Sequence, residues 1–184
     1  MPPKNEVATT SYSPIAIGLH WLIALIIVFQ FFVGLIFDDF QKPLKGDMIN
    51  LHAAIGLTLL ILVAFRLYWR LTHVVPALPS SVPHLQALIS KAGHYLLYIL
   101  MFAVPIVGMM TRFARGAGIN FGLFNIASPW AVNKPFAETT ENLHGLLAYI
   151  LVGVAALHLL AGLYHYFFLK DGVMNRMMRS SQAS

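Results

Sequence analysis

Apolar residues fill most of this chain in four long stretches, which are separated by short segments rich in proline, glycine and charge. A stretch of about 20 apolar residues is long enough to cross the hydrocarbon core of a bilayer as an α-helix. We predict four such helices, over residues 14–37, 47–70, 85–111 and 139–169. Together with their connections they account for the whole length, which we interpret as a single domain over residues 1–184. The predicted fold is all-α, an integral membrane four-helix bundle.

The last apolar stretch carries three histidines in an uncharged run: His144, His158 and His165. At about 100° per residue, their spacings of 14 and 7 residues bring them within about 40° and 20° of one helix face. At a rise of about 1.5 Å per residue, His144 and His158 lie about 21 Å apart, near opposite edges of the hydrocarbon core. That separation is too large for one metal ion but suits two stacked metal centres. Ionisable groups at such depths are costly and usually functional.

Histidines of the other stretches fall at the same two depths if the N-terminus lies on the inner side of the membrane. His52 lies near the outer end of its stretch, at the depth of His144. The other histidines of the stretches lie in the inner half: His20, His94, His158 and His165. Matched depths favour imidazole pairs that bind haem over isolated interhelical hydrogen bonds. Depth alone permits His20, His94 and His158 alike as inner ligands.

Arg66 and several glycines add detail to this picture. Arg66 follows His52 by 14 residues, so it lies on the same helix face, at the depth of the inner histidines. There it can bind a haem propionate through a charge-assisted hydrogen bond, or extend its guanidinium to the membrane surface. Gly34 follows His20 by the same interval and lies at the depth of the outer pair. Such glycines leave space for a porphyrin, although they also promote helix packing.

Composition narrows the function classes. The chain is 58% hydrophobic and only 10% charged, whereas soluble domains are about 25% charged. Its net charge is +5, but the basic residues lie in loops and at helix ends, as membrane topology requires, so we exclude nucleic acid as a partner. The chain has no cysteine, which excludes disulfides, iron–sulfur clusters and covalently attached haem. Any haem must therefore be held noncovalently by side-chain ligands.

The distribution of lysine and arginine predicts the orientation. With both termini inside, seven basic residues lie on the inner side: Lys4, Arg66, Arg70, Lys91, Lys170, Arg176 and Arg179. Five lie on the outer side: Lys42, Lys45, Arg112, Arg115 and Lys134. The excess inside predicts a multi-pass protein with cytoplasmic N- and C-termini.

Short motifs follow one another in a fixed order over nearly the full length of the chain. They are GLHWL at 18–22, INLH at 49–52, GHY at 93–95, PIVG at 105–108, LH at 157–158, YHYF at 164–167 and KD at 170–171. With this order and spacing the chain resembles the bacterial cytochrome b561 family. The resemblance implies a four-helix protein of the bacterial inner membrane with two b haems, related to the cytochrome b subunits of some hydrogenases. Carried over by position, the axial ligands are His20, His52, His144 and His158.

The branch that the chain most resembles acts as a superoxide oxidase and passes electrons from superoxide to ubiquinone. By this resemblance, His94 and His165 are not ligands but lie near the inner haem, at the family's quinone site. Arg70 and Lys91 are candidates for the rim of that site. At the outer surface, Arg112, Arg115 and Lys134 can raise the local concentration of an anionic donor, and the two arginines can bind an outer haem propionate.

Two alternatives to a stand-alone enzyme stay open. The chain can be a haem-bearing membrane anchor that takes its electrons from a partner dehydrogenase or hydrogenase. It can also be a metal-ion transporter, since imidazole binds zinc and iron ions. Transport sites usually add carboxylates, and the apolar interiors of the four stretches contain none.

Overall fold

Four long helices form the protein. The computed structural model describes residues 11–77, 79 and 82–178, and Lys4 and Arg179 of the orientation argument lie outside them. The helices are α1 (Pro14–Leu35), α2 (Leu44–Thr72), α3 (His84–Ala114) and α4 (Lys134–Tyr164), and α4 continues into a π-helical turn, His165–Leu169. Two 3₁₀ turns, Phe37–Asp39 and Met174–Met177, and a small antiparallel pair, β1 (Ile119–Asn120) and β2 (Asn125–Ile126), complete it. The prediction of an all-α four-helix membrane bundle is confirmed.

The helices differ from the predicted ones mainly at their ends. α4 begins at Lys134 rather than at residue 139, because the Asn133 side chain accepts a hydrogen bond from the Phe136 amide and Pro135 occupies the first turn. α2 begins at Leu44 rather than at residue 47, directly after Pro43. These starts lie in polar flanks, where local capping rather than hydropathy decides where a helix begins.

The packed interior is small and the outer surface is apolar. Every helix contributes to one core cluster, which contains Ile23, Leu59, Val63, Leu100, Met101 and Leu151. Large apolar side chains on all four helices point outward; Leu25, Ile61, Ile99 and Leu157 are each more than 60% exposed. Soluble proteins rarely expose apolar surface on this scale. All four helices are long and apolar enough to cross a membrane, so this surface is suited to contact lipid tails.

The bundle has two ends with different structures. At the hairpin end (residues 36–43 and 115–133), the β1–β2 hairpin is tied to α2, because Asn50 donates to the Asn120 carbonyl (2.7 Å) and accepts from the Asn120 amide (2.9 Å). At the terminal end (residues 11–13, 73–77 and 165–178), the last described residues fold back on the start of α1. There the Trp21 indole donates to the Met177 carbonyl at 2.8 Å.

Candidate functional site

His52 of α2 and His144 of α4 face each other towards the hairpin end. Their ring centroids lie 6.0 Å apart and the ring planes are nearly perpendicular, at 82°. Two imidazoles on opposite sides of one ion, with metal–nitrogen bonds of about 2.0 Å, place their centroids about 6 Å apart. The sequence predicted one depth for His52 and His144. The structure places them side by side, at a spacing that suits one shared iron.

The His144 ring is held by α3. Its Nδ1 donates to the Val104 carbonyl at 2.9 Å, which leaves Nε2 free to bind a metal, the arrangement common in metal-binding histidines. Gly108 lies one turn after Val104 on the same face. A Cβ at Gly108 would approach Nδ1 and Cε1 of His144 to 2.9 Å, so the missing side chain is what lets the imidazole reach the carbonyl.

The His52 ring, unlike that of His144, lacks a hydrogen-bond partner for its Nδ1 among the described residues. That nitrogen is also buried. Buried polar atoms without partners are rare and call for an explanation, such as a missing ligand. A Cβ at Gly34 would lie 3.7 Å from the His52 ring, as the sequence predicted when it placed Gly34 at this depth. Gln30 of α1 fixes the backbone beside the ring by donating to the His52 carbonyl at 2.8 Å.

Three histidines meet nearer the terminal end, on α1, α3 and α4. The His158 ring lies 6.1 Å from the His20 ring and 5.1 Å from the His94 ring, measured between centroids. His94 donates from Nδ1 to the Ser90 carbonyl at 2.6 Å. The 6.1 Å spacing repeats that of the first pair and suits a shared iron, whereas 5.1 Å is short for one.

Arg66 lies beside this cluster, as the sequence predicted. One guanidinium nitrogen donates to the Ala16 carbonyl at 2.8 Å and another lies 3.3 Å from Nδ1 of His20. Arginine can only donate, so Nδ1 of His20 accepts here. If Nε2 of His20 bound iron, Nδ1 would carry the proton and could no longer accept a hydrogen bond from Arg66. The guanidinium would then donate to another acceptor. Arg66 and Arg70 line one cavity at the terminal end, where two cations suit the carboxylates of a haem.

His165 lies apart from His94, the other proposed quinone contact. Its Nδ1 is 2.6 Å from Oδ2 of Asp171, and its ring also touches Tyr164. No hydrogen bond or ring contact joins His165 to His94 among the residues that the structure describes. His165 instead lines a cavity of about 230 Å³, together with Lys170. Lys91, proposed for the rim, is exposed on α3.

The two arginines at the hairpin end are already engaged. Arg112 donates to the Gly118 carbonyl at 2.8 Å and to the Asn50 side chain at 3.0 Å, so it fastens the hairpin to α2 two residues before His52. Arg115 forms an exposed ion pair with Glu141. Sequence reasoning proposed donor steering or propionate binding for both and missed these partners, because each contact joins segments that are distant in the chain.

Gly108 and Asp171 were given no role from the sequence. Both nevertheless belong to short motifs that carry the family resemblance, PIVG at 105–108 and KD at 170–171, and these motifs could have identified them. Among the described residues, three observations show that a haem fits the His52–His144 pair: the ring spacing, the freed Nε2 of His144 and the unpaired Nδ1 of His52.

Comparisons with known proteins identify the family of this chain. A family model described as prokaryotic cytochrome b561 matches residues 11–180. Probable superoxide oxidase CybB of Yersinia pestis is 32% identical over 169 residues, which cover 91% of this chain and 95% of that protein. Cytochrome b561 homolog 2 of Escherichia coli is 32% identical over 176 residues, covering 94% and 93%. Cytochrome b562 of Cereibacter sphaeroides is 28% identical over 174 residues, covering 91% and 95%. This chain therefore belongs to the prokaryotic cytochrome b561 family, and membership implies a bacterial membrane protein that binds b-type haem and transfers electrons.

Proposed function

We propose that this protein holds two b haems, one towards each end of the bundle, and transfers electrons from superoxide to ubiquinone. The observation that carries the proposal is the pair of imidazole clusters between helices, with ring spacings of 6.0 Å and 6.1 Å. His144 and His158 lie 14 residues apart on α4, so the clusters are separated by about 21 Å along the helix. Two such centres span most of the thickness of a bilayer.

We assign the histidines and arginines to these haems by their positions in the bundle. His52 and His144 would ligate the haem towards the hairpin end, and His20 and His158 the haem towards the terminal end. Arg66, with Arg70 beside it, would bind the propionates of the latter. When bound, a bis-imidazole b haem supplies reversible one-electron transfer, while the protein sets its ligands, position and electrostatic field.

We propose that the hairpin end is the donor side. The name of the Yersinia pestis relative supports superoxide as the donor. Superoxide is an anion, and the cations of this end, Arg112, Arg115 and Lys134, favour its approach. Because Arg112 already donates to the hairpin, it acts through its charge, not as a free hydrogen-bond donor. Each superoxide loses one electron and leaves as dioxygen, so two are consumed for every quinone reduced.

The acceptor side is then the terminal end, where ubiquinone takes up two electrons and two protons to become ubiquinol. His165 lines a cavity there of about 230 Å³, far more than the roughly 30 Å³ of one water. Its imidazole can donate a hydrogen bond to a quinone carbonyl and relay a proton. We keep His94 as a second contact, and Arg70 and Lys91 as rim residues. The excess of basic residues on this side supports a cytoplasmic location for this end and for both termini.

A second candidate function is the haem-bearing anchor of a partner dehydrogenase or hydrogenase. The tip of the hairpin favours it: Leu123 is 98% exposed and Phe124 58% exposed, with Phe124 stacked on Phe121 at 4.8 Å. Exposed apolar surface of this kind marks interaction sites. An anchor of this type accepts electrons only when its partner is bound, so activity of the isolated chain distinguishes the two functions.

The test uses the purified chain in lipid nanodiscs, with superoxide generated in solution and a soluble ubiquinone analogue. We expect superoxide to reduce the haem of the isolated protein and the quinone to reoxidise it. His165→Ala is expected to leave haem content and reduction by superoxide unchanged and to slow reoxidation by quinone at least tenfold, since a lost general acid typically costs 10²–10⁴. Phe168→Ala is the matched control, because Phe168 lies in the same π-helical turn as His165, is exposed and has no proposed role. Haem that dithionite reduces and superoxide does not would contradict the proposed donor.

A second prediction concerns the close approach of α3 to the His144 ring. Gly108→Ala places a methyl group 2.9 Å from that imidazole, so we expect a displaced ring, a weakened bond to the Val104 carbonyl and a lower haem content. Gly46→Ala is the control, since Gly46 lies in the first turn of α2 with nothing within 4 Å of the added Cβ. Haem per chain and the low-spin absorbance bands are the measurements. Equal occupancy and identical spectra in both variants would show that His144 does not depend on this gap.

A further inference from the structure

The chain reverses sharply at the end of α4 and brings Asp171 against His165. The reversal needs Lys170 in a left-handed conformation, with φ of 51°, directly after the π-helical turn. The Asp171 Oδ2 then lies 2.6 Å from Nδ1 of His165, and the two side chains are only 10% and 18% exposed. The second carboxylate oxygen accepts the Val173 amide at 3.1 Å, so the carboxylate is fixed from both sides.

The hydrogen bonds of Asp171 determine the charge of its carboxylate. Burial raises the pKa of Asp171, but the hydrogen bonds from His165 and from the Val173 amide outweigh it and leave the pKa below its usual value. The carboxylate is therefore ionised at neutral pH. An ionised carboxylate at this distance accepts the Nδ1–H of His165 in a charge-assisted hydrogen bond.

We propose that Asp171 is a positioning residue for quinone reduction: it accepts the Nδ1–H of His165 and holds the ring so that Nε2 faces the quinone. This inference rests on the proposed function at the terminal end. As ubiquinone receives its two electrons, the Nε2–H of the His165 imidazolium gives one proton to a carbonyl oxygen. The neutral ring that remains keeps its Nδ1–H on Asp171 and regains a proton from water, and the second proton for the quinone comes from water directly. The carboxylate itself transfers nothing; it fixes the orientation of the ring.

Two substitutions separate position from charge. Asp171→Asn keeps an oxygen that can accept the Nδ1 hydrogen and loses the negative charge. We expect the KM for the quinone analogue to stay within about twofold, while kcat for quinone reduction falls by about tenfold, because a neutral acceptor holds the ring through a hydrogen bond about half as strong as a charge-assisted one. Asp171→Ala loses both, so KM rises as well. Asp171→Glu restores the charge and is expected to recover much of the rate.

The control is Asp47→Asn, which removes a carboxylate from the first turn of α2 at the opposite end of the bundle. Haem content and reduction by superoxide are recorded for every variant and are expected to be unchanged. If His165→Ala slows quinone reduction and Asp171→Asn leaves kcat and KM as in the parent, this inference is wrong while the proposed function stands. If His165→Ala has no effect either, the proposed quinone site fails. Loss of haem in both Asp171→Asn and Asp171→Glu would make the residue structural and overturn the inference.

Discussion

Replacing His52 or His144 by alanine is expected to halve the haem content, from two haems per chain to one. Either change removes one of the two imidazoles that face each other at 6.0 Å. The chain contains no cysteine, so no covalent bond can retain the group once an axial ligand is lost. The haem near His158 lies about 21 Å away along α4 and should be unaffected. No other substitution proposed at the hairpin end should have an effect as large.

Haem per chain is measured by a pyridine haemochrome assay on the purified variants, with a redox titration to resolve the two centres. We expect one transition to vanish and the other to keep its midpoint potential. Phe168→Ala serves again as the control that leaves both haems in place. A His52→Ala or His144→Ala protein that kept two haems with unchanged potentials would show that these side chains are not the ligands. A parent protein with one haem would contradict the two-centre proposal itself.

The sequence was sufficient to predict the membrane fold and the first histidine pair. Four apolar stretches predict four helices, because the bilayer sets their length and apolarity. Helices joined by short connections run in alternate directions, so His52 and His144 could be brought to one depth by counting residues. In a bundle of four helices, inward-facing residues at the same depth lie close to one another. The fold therefore places these two rings together.

Rotation of a helix about its axis is much harder to predict in a membrane protein. Lipid-facing and packed positions are both apolar, so hydropathy does not identify which face of α3 turns inward. By depth alone, the histidines His20, His94 and His158 were therefore equivalent. Only the family resemblance distinguished them before the structure gave their spacings. The Gly108 gap was missed for the same reason, since it acts only on a ring from another helix.

The contacts of His165 and Arg112 were missed for a different reason. Asp171 reaches His165 only because Lys170, a residue that rarely takes a positive φ, reverses the chain. Arg112 finds Asn50 only because a two-residue strand pair folds over α2. Both depend on backbone conformations outside the helices, where hydrophobic pattern carries no information. Arg112 was interpreted as a steering charge, and the structure shows that it also fastens the hairpin to α2.

The terminal-end cluster gives the other large effect. His158→Ala is expected to remove the second haem whichever partner it shares, because the His158 ring touches both His20 and His94. The informative comparison is between those partners. Two imidazoles on one iron need centroids about 6 Å apart, which the His20 ring meets at 6.1 Å and the His94 ring, at 5.1 Å, does not.

We therefore expect His20→Ala to leave one haem per chain and His94→Ala to keep two. In the parent protein, Arg66 must release Nδ1 of His20 when iron binds Nε2, so Arg66→Gln should shift the midpoint potential of this haem and keep its low-spin spectrum. Haem quantification, redox titration and low-temperature spectra of the variants are the measurements. The reverse outcome, in which His94→Ala loses a haem and His20→Ala does not, would assign the site to His94 and His158. His20 would then be left as a hydrogen-bond partner of Arg66, and the quinone contact proposed for His94 would be lost with it.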